Sequence, residues 1–330
     1  MGNGDYHWPD FDDIHDFNEL YNRAKTEQWN VGDLMDLLVS DSGKVGAYGM
    51  EGGSDYTGLG QSYASIPAVR ELDQKTQEKF LLNHGLYNFE MAVDSELNAC
   101  IVNSIQVESI NNSDAKMALT MQQVDEVRHF EALSLYRNFR FRGMPVPTPS
   151  PRRVKFWKDR VSNTLEESLV ITQIIFEGFF IPVYHRTVST TSDRFLTKSF
   201  SLILRDEARH IATGVIALPF VLSKLKEIER KKLEDFAFEK VCDADDLLST
   251  DLNPNLCWEA GLSFDELVTY IRSKPENFKD KRFVFSKYVL PKLNELVFCR
   301  KDFTNSIQML VLTFHLPYRS ELRNCATLLI

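Results

Sequence analysis

Long segments in which apolar and polar residues alternate at helical spacing fill the middle of the chain, and short turn-forming runs separate them. Asn111-Asn112-Ser113-Asp114 and Thr190-Thr191-Ser192-Asp193 are two such runs, rich in helix-capping residues. The Gly- and Pro-rich stretch 143–151 cannot continue a helix and predicts an extended connection. The pattern predicts an all-α protein with two helical hairpins, whose helices cover residues 66–110, 114–142, 154–188 and 193–222.

The ends of the chain differ from this middle part. Residues 1–75 are expected to form an N-terminal extension with helical patches in 16–38 and a glycine-rich loop at 43–60, which is either a lid over a substrate channel or a plain connector. Residues 223–330 are expected to form a C-terminal helical extension. We expect one domain, 1–330, around a four-helix bundle at 76–222.

One five-residue pattern, Asp-Glu-x-Arg-His, occurs twice, at 125–129 and at 206–210. Each copy has a glutamate 30 positions before its own glutamate, Glu96 and Glu177. A glutamate and a histidine three residues apart share one face of a helix, so both can reach one metal ion. Because the turn-forming runs lie at the midpoints of the two 30-residue intervals, each hairpin brings its two glutamates to the same height.

Two such hairpins would place four carboxylates and two imidazoles at one level of a bundle, which is the ligand set of ferritin-like di-iron proteins. Glu177 lies in the apolar stretch 169–182, where an unpaired charge would cost several kcal/mol, and a bound cation would compensate it. A lone Glu-x-x-His is common on helix surfaces, so the prediction rests on the conjunction. The predicted catalytic metal ligands, for two iron ions, are Glu96, Glu126, His129, Glu177, Glu207 and His210.

The other residues of the motif are candidates for supporting the ligands. A ligand histidine donates its second N–H to an acceptor, and we expect Asp125 to pair with His210 and Asp206 with His129. Arg128 and Arg209 would offset the charge of these aspartates. The alternative is an ordinary intrahelical ion pair in each copy.

The motifs resemble those of known di-iron families. Residues 204–210 resemble the fourth ligand helix of the ribonucleotide reductase small subunit, and both repeats resemble those of bacterial multicomponent monooxygenase hydroxylases. The segment Phe176-Glu177-Gly178-Phe179 is similar to the third ligand helix of both. The resemblance, over residues 76–222, implies a ferritin-like fold and a carboxylate-bridged di-iron centre that reacts with O2; manganese shares these ligands, so a Mn/Fe centre stays open.

Three departures narrow the function that the resemblance implies. Leu133 stands where the reductase has its radical tyrosine, Ile181 where the hydroxylases have a threonine, and Ile203 where aryl-amine N-oxygenases have an extra histidine. The first departure argues against a radical initiator. From the O2 chemistry of such a centre we expect an O2-activating di-iron monooxygenase that hydroxylates or N-oxidises a small organic substrate. The alternative is a radical-generating or substrate-oxidising protein related to the reductase small subunit. Iron storage is disfavoured because both extensions are long, and an inactive scaffold because all six ligands are present.

An oxygenase of this kind needs a substrate pocket and an electron donor. Helical spacing places six residues near the ligand level, with Gln173 as a polar anchor, although each can also be plain core: Phe89, Val93, Leu133, Gln173, Phe176 and Phe180. The expected donor of two electrons is a ferredoxin or a flavin reductase. A homodimer is left open.

Composition and charge set the remaining bounds. The five cysteines form no C-x-x-C pair, which predicts neither a disulfide framework nor a zinc ribbon and favours a reducing compartment. The N-terminus lacks a signal peptide pattern, and the apolar stretch 169–184 is interrupted by polar residues, so no membrane span is expected. A net charge of −9 argues against nucleic acid and anionic membranes as partners. We expect a cytoplasmic protein in which His84 and His185 lie too far from the ligands to take part.

Overall fold

The computed structural model describes residues 16–40, 63–161, 164–191, 193–250 and 252–273, together with Leu293 and Val297. Within these residues the secondary structure is helical, without a β-strand, which confirms the all-α prediction. The glycine-rich stretch 43–60 lies outside the described residues. The helices are α1 (Phe17–Thr26), α2 (Met35–Ser40), α3 (Pro67–Arg70), α4 (Gln74–Ser109), α5 (Ser113–Arg140), α6 (Pro151–Arg160), α7 (Leu165–Leu169), α8 (Glu177–Thr190), α9 (Arg194–Leu222), α10 (Glu227–Thr250), α11 (Pro254–Glu259) and α12 (Phe264–Ser273).

Four long helices form the predicted bundle. Helices α4 and α5 make the first hairpin, and α8 and α9 belong to the second. The third arm is continuous: α7 runs into a π-helical segment, Val170–Phe176, which runs into α8. Contacts of α5 with α9 and of α4 with α7 close the bundle, so the predicted four-helix core is present.

Capping residues end the helices at the predicted turns. The side chain of Asn112 accepts from the Ala115 N–H at 2.8 Å and starts α5, and that of Asp193 accepts from the Leu196 N–H at 3.0 Å and starts α9. Asp193 also accepts from the Tyr136 hydroxyl at 3.1 Å and from Arg140 at 3.0 Å. This one residue therefore caps the second hairpin and ties it to the first.

The third arm differs from the predicted helix 154–188. Its residues fall into a separate helix, α6, and the arm that begins at Leu165, where Thr164 caps α7. The segment Leu165–Ser189 is long and apolar enough to cross a bilayer, but 94% of its apolar window is buried inside the protein. It is the central helix of the core, covered by α9 and α10.

The extensions pack on the bundle. Helix α1 contacts α5 and α9, and α10 contacts the π-helical segment. Helix α1 therefore packs where the two Asp-Glu-x-Arg-His helices, α5 and α9, meet, and α10 packs on the third arm.

Gly214 on α9 permits a very close approach between α9 and the π-helical segment. A Cβ built at this position would lie 2.5 Å from Gln173 Cβ and 3.0 Å from Ile174 Cδ1. The segment that precedes Glu177 can therefore lie against α9 only because residue 214 has no side chain.

Gly214→Ala should destabilise the protein. Overpacking costs about 1–3 kcal/mol, which exceeds the roughly 1 kcal/mol that alanine gains over glycine in a helix. Urea denaturation should show a lower free energy of unfolding for this variant, whereas Lys198→Ala, at an exposed position of α9, should change it by less than about 0.5 kcal/mol. Equal stability of the two variants would contradict the close packing.

His84 on α4 is a core residue, as expected for a histidine far from the ligands. Its ring packs against Tyr63, Phe80 and Tyr87, and neither ring nitrogen has a hydrogen-bond partner. Burial lowers the pKa of His84 from 6.5 to about 3, and the nearby positive charge of Arg153 contributes. The folded protein therefore holds this imidazole neutral.

His84 should make the protein sensitive to acid. Because the folded-state pKa lies below the unfolded value of about 6.5, the unfolded chain takes up the proton first, and stability falls as pH drops from 6.5 towards 3. At about 1.4 kcal/mol per pH unit, the loss between pH 7 and pH 5 is about 2 kcal/mol. Urea denaturation at pH 7 and at pH 5 should show that the free energy of unfolding falls by about 2 kcal/mol less in His84→Phe than in the unsubstituted protein. An equal fall in both proteins would refute the prediction.

Candidate metal centre

The six predicted ligand side chains meet in the interior of the bundle. Each is at most 4% exposed. They form two overlapping groups whose ligand atoms lie within 4.8 Å of one another: Glu96, Glu126, His129 and Glu207 in one, and Glu126, Glu177 and His210 in the other. Either group could hold a metal ion, and Glu126 belongs to both.

The two histidines mark the two positions. His129 Nδ1 lies 3.3 Å from Glu96 Oε2, 3.5 Å from Glu126 Oε2 and 3.6 Å from Glu207 Oε1. His210 Nδ1 lies 3.3 Å from Glu126 Oε1 and 2.8 Å from Glu207 Oε2. In both Glu126 and Glu207, one carboxylate oxygen therefore faces His129 and the other faces His210. A carboxylate that bridges two ions requires this arrangement.

Burial and mutual repulsion govern the charges of the cluster. Burial raises the pKa of Glu177 well above its ordinary value, and the Glu207 and Glu126 carboxylates raise it further. Burial and the charge of Glu126 likewise raise the pKa of Glu207. Burial would also raise the pKa of Glu126, but the imidazoles of His210 and His129 outweigh it and lower the pKa to about 2.

The pKa values of both imidazoles are raised as well. Burial would lower the pKa of His129, yet its hydrogen bonds with Asp206, Glu126 and Glu96 hold it well above 6.5. Without a metal ion, protons are thus retained among six closely spaced donor atoms, and a cation would replace them. Oxygen and imidazole nitrogen donors in this number fit first-row divalent ions such as Fe²⁺ and Mn²⁺.

The aspartates of the motif contact the histidines of the opposite hairpin. His129 Nε2 lies 3.2 Å from Asp206 Oδ2, and His210 Nε2 lies 3.5 Å from Asp125 Oδ2. Each ring is therefore turned with Nδ1 towards the cluster and Nε2 towards an aspartate. The structure thus brings both expected pairs together, His129 and Asp206 by a hydrogen bond and His210 and Asp125 by a contact at 3.5 Å. Their role in orienting metal ligands stays a prediction.

The arginines link these aspartates to each other. Arg209 Nη2 donates to Asp206 at 2.8 Å and to Asp125 at 3.1 Å. Arg128 donates to Asp125 and lies 3.5 Å from Asp206. Two cations and two carboxylates thus form one network behind both histidines, and the alternative of two separate intrahelical pairs does not describe it.

The N-terminal extension adds a residue that the sequence did not single out. Trp29 Nε1 donates to Asp206 Oδ2 at 2.7 Å, and its ring lies over His129 at 6.2 Å between centroids. Next to it, Gln28 accepts from Arg128, and Glu27 accepts from Arg209 at 2.6 Å. The segment after α1 therefore seals the network against solvent, and no local pattern around residues 27–29 indicates this.

Tyr184 is a second contact that the sequence analysis missed. Its buried hydroxyl donates to Glu96 Oε1 at 2.6 Å, and its ring stacks on Phe200 and Phe180. Burial raises the pKa of Tyr184 well above 10, with the Glu96 and Glu207 carboxylates adding to the shift. The phenol is therefore protonated and available as a donor to a candidate ligand.

The residues predicted to line a substrate pocket are all buried in the core. Phe89 packs on Tyr136, Phe176 on Phe156 and Trp157, and Phe180 on Tyr184. Val93 and Leu133 belong to the same apolar cluster. The amide of Gln173 is hydrogen-bonded to other glutamine side chains rather than presented to an apolar space. A role of these residues in substrate contact stays a prediction.

The chain aligns with solved structures that are described as holding dimetal cofactors. Three variants of an R2-like ligand-binding oxidase match most of the chain. Two, with aerobically reconstituted Mn/Fe cofactor, are 15% and 14% identical, with TM-scores of 0.46 and 0.48, and cover 82% and 86% of this chain and 95% and 94% of theirs. The third, with an Fe/Fe cofactor, is 14% identical, has a TM-score of 0.42 and covers 83% and 94%. No protein-family model matches the sequence, and no curated protein matches it.

Removing one candidate ligand should remove a metal site. Glu177→Ala deletes a carboxylate from the group that contains His210, so the variant should bind about one iron per chain where the unsubstituted protein binds about two. Metal analysis after anaerobic loading and gel filtration measures this, with Glu131→Ala, an exposed glutamate on α5, as the control. Retention of both ions by Glu177→Ala would refute the assignment.

Proposed function

We propose that this protein is an O2-activating non-haem di-iron oxygenase that hydroxylates or N-oxidises a small organic substrate. The single observation that carries the proposal is the buried cluster of four carboxylates and two imidazoles, in which Glu126 and Glu207 each face both histidines. The more general assignment, an oxidoreductase with a dimetal centre, does not depend on the identity of the substrate. The proposed compartment is the cytoplasm, in agreement with the free thiols of Cys100 and Cys257.

Two reduced metal ions bound here would supply electrons to O2 and bind it in a site away from water. The residues of the chain hold and orient them. Asp206 and Asp125 keep each imidazole turned with Nδ1 towards the ions, and Tyr184 keeps a proton on its hydroxyl next to Glu96. The apolar core around Phe176 and Phe180 excludes water from the same region.

Each turnover of such an oxygenase consumes two electrons from outside. We propose a ferredoxin or a flavin reductase as the donor. The hydrogen bonds from Trp29 to Asp206 and between Asp206 and His129 connect the cluster with the N-terminal extension, and this is the side on which we propose that the donor binds.

A second candidate function is favoured by Tyr184. The reductase-type position, Leu133, carries no phenol, but Tyr184 brings one to 2.6 Å from a candidate ligand by another route. A radical-generating or substrate-oxidising protein with an Fe/Fe or Mn/Fe centre would use a tyrosine in such a place.

The two functions separate when the chain is loaded anaerobically with Fe²⁺ alone or with Mn²⁺ and Fe²⁺ and is then exposed to O2. An oxygenase should consume O2 repeatedly, in proportion to the reductant added, without a lasting organic radical. A lasting tyrosyl signal in electron paramagnetic resonance that is absent from Tyr184→Phe would favour the second candidate. A chain that binds two ions but consumes no O2 with either metal would exclude both.

A further inference from the structure

A line of buried carboxamides starts beside Glu126 and leads from the metal centre towards the turn between α4 and α5. Its members come from three arms of the bundle and are at most 2% exposed: Asn103, Gln106, Gln122 and Gln173. A buried amide costs free energy unless its donors and acceptors are paired. Four of them in one place, next to a charged cluster, therefore indicate a role beyond packing.

Two of these amides point at the same ligand oxygen. Gln122 Nε2 and Asn103 Nδ2 each lie 3.4 Å from Glu126 Oε1 as donors. This is the oxygen that lies 3.3 Å from His210, whereas the other oxygen of Glu126 lies 3.5 Å from His129. The amides thus distinguish one end of the carboxylate that spans both positions.

Gln173 braces both amides. Its Oε1 accepts from Gln122 at 3.0 Å, and its Nε2 donates to Gln106 Oε1 at 2.9 Å and to Asn103 Oδ1 at 3.5 Å. Gln106 in turn donates to Ser168 at the start of the third arm. The absence of a side chain at Gly214 lets Gln173 approach this position, so the brace depends on the same close contact that shapes the π-helical segment.

The orientation of Gln122 is fixed by its neighbours. Exchanging its oxygen and nitrogen would place an acceptor against Glu126 Oε1 and against Gln173 Oε1, two repulsive contacts. In the observed orientation Gln122 Oε1 is buried without a hydrogen-bond partner. The structure thus leaves the oxygen of Gln122 without a partner and keeps both hydrogen bonds of its nitrogen. The nitrogen is therefore the functional end of this amide.

We propose that Gln122 and Asn103 are positioning residues that hold Glu126 in the orientation in which it spans the two metal positions, with Gln173 fixing both. The inference rests on the dimetal centre of the proposed function and deepens it, because it assigns the bridging geometry to residues that do not ligate. The spacing supports it: Gln122 precedes Glu126 by four residues, and Gln173 precedes Glu177 by four, so each lies one turn from a ligand on the same face.

The test measures metal binding by the full chain. Gln122→Met and Asn103→Leu remove the donors at similar volume, and anaerobic titration with Mn²⁺ gives stoichiometry and affinity without any turnover. We expect binding of the ion next to His210 to weaken by about 10-fold or more, as is usual for groups that orient ligands. Electron paramagnetic resonance of the loaded protein should show altered coupling between the two ions, since the coupling passes through the shared carboxylate.

The matched control lies in the same chain of amides. Gln106→Met deletes the same chemical group but does not touch Glu126, so it should change metal affinity and coupling far less than Gln122→Met does. Gln173→Met removes the hydrogen bonds that hold both positioning amides and should therefore reproduce part of the effect of Gln122→Met. It provides a second test in case Gln122→Met folds poorly. Unchanged affinity and coupling in Gln122→Met and Gln173→Met, or an equal change in Gln106→Met, would overturn the inference.

A failure of the proposed function looks different. In that case the unsubstituted chain itself would bind fewer than two ions, or would bind two ions and consume no O2. Two ions in the unsubstituted chain with no effect of the amide variants would overturn only the positioning role.

Discussion

The structure depends on the electrostatic cost of placing four carboxylates and two imidazoles where water cannot reach them. In an apolar interior each uncompensated charge is unfavourable by several kcal/mol, so the cluster is stable only when protons or cations lie between the carboxylates. The raised pKa values of Glu177 and Glu207 and that of His129 express this balance in the absence of a metal. A bundle of this kind is therefore built around a charge that it does not itself supply.

Successive layers of contacts around the cluster meet this constraint. The candidate ligands lie on four arms, and capping residues at the two turns, Asn112 and Asp193, set the heights of these arms. Behind the histidines, two aspartates and two arginines neutralise one another, and the segment 27–29 covers them. Beside Glu126, the contacting groups are neutral amides, those of Asn103 and Gln122, rather than charged side chains. Each layer lowers the number of arrangements that the ligands can adopt before any ion binds, which is how preorganisation favours binding.

The sequence predicts the parts of this design that are local. Helical spacing, equal 30-residue intervals and capping residues at the midpoints were sufficient to identify the bundle and its six buried donors. The same reasoning paired Asp125 with His210 and Asp206 with His129, because residues at one level of a bundle are near one another.

The contacts of Trp29 and Tyr184 could not be predicted in this way. They join these residues to Asp206 and Glu96, which lie 177 and 88 positions away in the sequence. The break between α6 and α7 and the π-helical segment were not predicted either, since both depend on tertiary packing against α9 and α10. The amide at Gln122 did leave a signal, its four-residue offset from Glu126, but an offset alone does not separate a positioning residue from a surface one.

The repeat that is symmetric in sequence yields two positions that differ in structure. On the side of His129, Tyr184 donates to Glu96 and Trp29 donates to Asp206. On the side of His210, two amides donate to Glu126. A phenol and an indole near one position and neutral carboxamides near the other give the two sites different hydrogen-bond donors, although their ligand types are nearly the same. Because Fe²⁺ and Mn²⁺ accept the same oxygen and nitrogen ligands, such surrounding contacts are the property of the protein that can favour a different ion at each position. Residues outside the repeated motif, such as Tyr184 and Asn103, therefore give the protein a means to distinguish the two positions.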